Sequence, residues 1–138
     1  MTTITRLALV TIALSVPACG SSSGTVRLTE LHRLQSGDLD VVLLSEDGSL
    51  GHGRDTFVVE FRSRADGSLV DVGPVKISAT MPMAGGAPMF ASVELASADA
   101  PGRYNGTSDF GMAGTWRLSL AWDGPRGSGS VAFAPMVQ

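Results

Sequence analysis

Cysteine occurs once in this sequence, at Cys19, and lysine once, at Lys76. A lone cysteine forms no internal disulfide and builds no Cys-based zinc site. Ten Lys and Arg are scattered against thirteen Asp and Glu, for a net charge of −3. No stretch gathers the cations into a basic stripe, which argues against nucleic acid as a partner. Charged residues make up 17% of the chain and hydrophobic ones 43%, a balance unlike that of a disordered polyelectrolyte. Beyond residue 25 no window of helical length repeats its apolar residues every 3.6 positions. Helices are therefore not expected.

The usual signatures of catalysis are also missing. There is no Gly-x-Ser-x-Gly elbow, His-Glu-x-x-His, phosphate-binding Gly-rich loop or dinucleotide fingerprint. Several acidic residues stand beside turn glycines, in Glu46-Asp47-Gly48, Asp66-Gly67 and Asp123-Gly124. Asp in such places hydrogen-bonds nearby backbone amides, and no pair stands out as flanking a sugar. The sequence predicts a protein that is not an enzyme.

What is present begins with the N-terminus. Arg6 supplies a positive start, and Leu7 to Val16 an apolar run shorter than the roughly 20 residues that span a bilayer. Val16-Pro17-Ala18-Cys19 then resembles a lipobox, with a small residue before the cysteine. That resemblance implies cleavage before Cys19 and its lipidation; an ordinary secretory signal is the alternative. Gly20-Ser21-Ser22-Ser23-Gly24 has the composition of a flexible leash. The expected organisation is a signal peptide over 1–18, a tether over 19–26 and one domain over 27–138. Such a chain is extracytoplasmic and held on a membrane by its acyl chains. With Gly20 after the cysteine, that membrane is the outer one in a Gram-negative cell.

The domain reads as strands. Phe57, Val59 and Phe61 alternate, as do Trp116, Leu118, Leu120 and Trp122, with further runs at 40–44, 75–79 and 90–95. A period of two is what a half-buried sheet requires. Turn signals at Glu46-Asp47-Gly48, Asp66-Gly67, Gly73-Pro74, Pro101-Gly102 and Asp123-Gly124-Pro125 punctuate the runs. The pattern predicts an all-β, immunoglobulin-like antiparallel β-sandwich of about seven strands. Trp116 belongs to its core, and Trp122, nearer an edge, to the core or to a partner surface.

Three segments taken in order resemble the YtkA-like domain, related in pattern to FixH-like proteins. They are Gly37–Leu44 with Gly53–Val59, then Val75–Met83, then Gly102-Arg103-Tyr104 with Phe110–Leu118. The resemblance implies a small extracytoplasmic sandwich found as a lipoprotein, near heavy-metal efflux components, copper among the metals. It implies efflux-system or other envelope proteins as partners.

Methionine carries the chemistry. Met81, Met83, Met89 and Met112 fall in or beside the two Met-containing motifs, Met81-Pro82-Met83 and Met112-Ala113-Gly114-Thr115-Trp116. Thioether sulfur is a soft, neutral ligand that suits Cu(I) or Ag(I). Met81 and Met83 share a face if extended, and Gly85-Gly86 permits Met89 to fold back toward them. Packing against Phe90, Phe110 and Trp116 is the competing account, since Met fills irregular gaps beside aromatics. His52, in a glycine-flanked turn, stands either in solvent or beside such a site; His32 is expected at the surface of the first strand.

Overall fold

The computed structural model describes residues 25–138; the signal segment and Cys19 lie outside the described residues. Ten strands form: β1 (Thr29–Ser36), β2 (Leu39–Ser45), β3 (Gly53–Ser63), β4 (Val75–Met81), β5 (Met89–Ser97), β6 (Arg103–Phe110), β7 (Gly114–Thr115), β8 (Arg117–Gly124), β9 (Gly127–Phe133) and β10 (Met136–Val137). The expected all-β antiparallel sandwich is what they build, with ten strands in place of about seven. The additional ones include the two-residue β7 and β10, which pair with each other.

The other eight run in the order β1-β2-β3-β6-β5-β4-β8-β9. That ladder turns over at β5. Its second half, Ser92–Ser97, pairs with β6, while Ala91, Phe90 and Met89 pair with Ala79, Thr80 and Met81 of β4. One strand thereby serves both layers. At the far edges β1 comes to lie against β9, so the two layers nearly close on each other. No helix among the described residues is long and apolar enough to cross a membrane.

Alternation fills the space between the layers. Val41, Leu43, Val59 and Phe61 from one layer meet Leu118, Leu120, Trp122 and Phe133 from the other, all buried in one cluster. Phe61 stands edge-on to Tyr104 and Trp122, with centroids 5.6 and 5.0 Å away, the geometry that aromatic quadrupoles favour. Trp122 thus belongs to the core.

One charged side chain, Glu60, is buried among the described residues. Glu60 is 1% exposed and accepts hydrogen bonds from Arg62 Nε at 2.6 Å and Arg103 Nε at 2.7 Å. A carboxylate this buried stays in place only because it is paired and hydrogen-bonded.

Tyr104 ties the end of the sheet to the β3–β4 connection, its hydroxyl donating to the Gly73 carbonyl at 2.6 Å. Burial, then the nearby Asp71 charge, raises its pKa. A phenol whose pKa is raised on folding keeps its full contribution below the unfolded value and loses it as pH climbs through the folded one. Melting temperature is therefore expected to fall from about pH 10 upward in the parent, and to fall less in Tyr104→Phe. Equal alkaline slopes in the two proteins would remove Tyr104 from the account.

Candidate functional site

One end of the sandwich collects a chemically distinctive set. The start of β1, the β2–β3 and β4–β5 connections, the β6–β7 turn and the C-terminus all meet there. Register fixes this: Thr29 pairs with Ser45, Gly53 with Phe110, Met81 with Met89, and Met136 with Thr115. A bridge from Leu50 to Val137 and hydrogen bonds between Gln138 and residues 50 and 52 bind the C-terminus to the β2–β3 connection. The chain has six methionines. All five beyond Met1 lie at this end.

Met81 and Met89 are direct cross-strand partners, so both side chains leave the sheet on the same side with Cβ atoms about 5 Å apart. Both are half-buried and pack on the core cluster. Met81 lies over Gly114, where a Cβ would stand 2.5 Å from its methyl and 3.6 Å from its sulfur. Gly114 also holds φ 138°, a backbone that side chains other than glycine's resist. The Met89 methyl lies 3.6 Å from where a Cβ on Gly111 would be. β6 ends at Phe110, and Met112 follows in the turn beside that methyl. Met81 and Met89 are therefore neighbours across two strands, with the turn that carries Met112 beside Met89.

Met112 is more exposed, and its carbonyl accepts the indole N–H of Trp116 at 3.0 Å. The Trp116 ring is fully buried against Phe110, centroids 5.1 Å apart. A core side chain thus holds the Met112 turn. Met83 stands apart from the Met81–Met89 pair, in the β4–β5 connection, where Gly86 N–H donates to its carbonyl at 3.4 Å. Met136 was not singled out by the sequence, having no motif around it; only the pairing of β10 with β7 carries it to this end.

The histidines divide. His52 is exposed at the same end, its backbone N–H bound to the Gln138 carbonyl at 2.8 Å. His32 is half-buried, its ring 6.2 Å from that of Phe133, so it lies under the seam of β1 and β9 and not at an open surface. Among the described residues no three His, Cys, Asp or Glu side chains group so as to hold a metal ion.

Together these features define a small antiparallel β-sandwich with a methionine-rich end. The family model described as YtkA-like matches residues 33–121, and the chain belongs to that family. The match takes in Met81, Met83, Met89 and Met112 and stops before β9, β10 and Met136. No curated protein and no solved structure matches the chain.

Proposed function

We propose that this is a lipid-anchored accessory domain of the cell envelope, non-enzymatic, that holds Cu(I) or Ag(I) at its methionine end for a heavy-metal efflux component. The observation that carries the reading is the cross-strand pair Met81 and Met89, each packed on a glycine, with Met112 in the adjoining turn. Two or three convergent thioethers are the donor set a soft monovalent cation accepts. Half-burial of Met81 and Met89 reduces competition from water. Met83, within reach of the same loop, is an outer ligand or an entry contact. Cys19 supplies the anchor and takes no part in the metal site.

The test is an anaerobic Cu(I) titration against a competing chelator, with Met81→Leu/Met89→Leu/Met112→Leu in parallel. Leucine keeps the approximate volume, so the fold survives. The parent should bind one equivalent, and the variant's affinity should drop at least about 100-fold, or roughly 2.7 kcal/mol. Equal affinity in both, or no binding in the parent, would leave the alternative of a metal-free interaction module on the same fold.

A further inference from the structure

The methionine end is also where the protein's outward apolar surface is concentrated. Among the described residues the exposed large hydrophobic side chains are Val26, Met83, Phe90, Met112 and Met136. Phe90, second residue of β5, is 73% exposed, Met136 59% and Val26 58%. Val26 lies three residues before β1, whose first residue Thr29 pairs with Ser45 at this same end. Five such residues scattered singly over a sandwich need no explanation; gathered at one tip they mark a contact surface.

We infer that this tip seats on the lipid bilayer, with Phe90, Met83, Met112 and Met136 dipping into the headgroup–acyl boundary. The occupant is indicated by the path of the chain. The described chain begins at the tip, with Val26 three residues ahead of β1, and not at the opposite end, where Gly37, Gly67 and Pro125 make the turns. From Cys19 to Val26 a Gly/Ser-rich leash has a typical span of roughly 15 Å, short compared with the roughly 25 Å length of the eight-residue strands. An anchor at Cys19 therefore presents the tip to the membrane surface. Apolar side chains there add to acyl anchoring, which is stable when two membrane signals act together. The inference builds on the proposed anchoring but not on metal binding.

The experiment supplies the anchor chemically, so that it does not depend on native lipidation. The chain from Cys19 onward is coupled through that thiol to a maleimide lipid in phosphatidylcholine nanodiscs containing a gadolinium-chelating lipid. Amide signals are then followed by NMR. Signals of residues 83–86 and 111–113 should broaden several-fold more than those of Gly37 and Gly67. Because tethering alone favours the near end, Met83→Ser/Phe90→Ser/Met112→Ser/Met136→Ser is measured in the same way. All four positions are exposed, so the fold is retained, as its dispersed spectrum would report. Collapse of the difference between the two ends in this variant is the expected result. An undiminished difference would mean that the leash alone orients the domain, and uniform broadening in the parent would mean no seating; either overturns the inference.

Discussion

Replacing Gly102 by alanine is expected to destabilise the domain by about 3–5 kcal/mol, lowering its melting temperature by roughly 10–20 °C. Gly102 is buried in the turn between β5 and β6 at φ 86°. A Cβ added there would stand 2.6 Å from the Val70 carbonyl oxygen and 2.8 Å from the Val70 carbonyl carbon and amide nitrogen. These are backbone atoms, unable to swing aside as the tip of a side chain does. They are held in turn, because the Val70 N–H donates to the Phe61 carbonyl and the Phe61 N–H to the Gly102 carbonyl. Strain and collision therefore act together. Gly67→Ala separates them: its φ is 73°, but nothing lies within 4 Å of the new Cβ, so only the backbone strain of about 1–2 kcal/mol is expected. Urea unfolding of both variants decides the matter, and equal losses would show that the turn at Gly102 relaxes away from Val70.

The contrast between those two glycines shows what the sequence makes legible. Pro101-Gly102 and Asp66-Gly67 both announce turns, and both are turns. That one packs backbone to backbone against β3's continuation is a tertiary fact that no dipeptide carries. The same holds for strands. β3 and β8 are readable because Phe57, Val59, Phe61 and Leu118, Leu120, Trp122 are large and alternate. β6 and β9 are harder to read. The inward positions of β6 include Gly106 and Ser108, and β9 begins Gly127-Ser128-Gly129-Ser130. Their small residues are dictated from across the ladder. Phe57 faces Gly106 and Trp122 faces Gly129 in register, and each aromatic ring occupies the space a Cβ would need.

The site divides in a similar way. The recurrence of methionine in Met81-Pro82-Met83 and Met112-Ala113-Gly114 is plain in the sequence, while the pairing of Met81 with Met89 is a fact of the strands. Spacing alone suggested Met81 and Met83 as the close pair, because two residues apart in an extended chain share a face. β4 ends at Met81, however, and the partner of Met81 is the cross-strand Met89. Met136 lay beyond any local pattern. Pairing of two-residue strands has almost no sequence signal, and here it is fixed by Trp116 N–H donating to the Pro135 carbonyl and by the C-terminal bonds to the β2–β3 connection.

Trp116 links that site to the core, and its removal is the second large effect expected. Trp116→Ala deletes the largest fully buried side chain and should cost about 3–5 kcal/mol, as large cavities in a core do. Trp116→Phe is the more informative change. It keeps an aromatic ring against Phe110 but removes the N–H that the Met112 carbonyl accepts at 3.0 Å. Loss of that bond, with a small cavity, should cost about 1–2 kcal/mol, leaving the domain folded. Its local consequence is greater freedom of the turn from Gly111 to Ala113, visible as a fall in backbone order parameters there and not at Gly37 or Gly67. If Met112 is a ligand, Cu(I) affinity should drop several-fold in the same variant, less than in Met112→Leu. A turn that stays ordered in Trp116→Phe would mean that β7 and its pairing with β10 hold Met112 unaided, and that Trp116 is core alone.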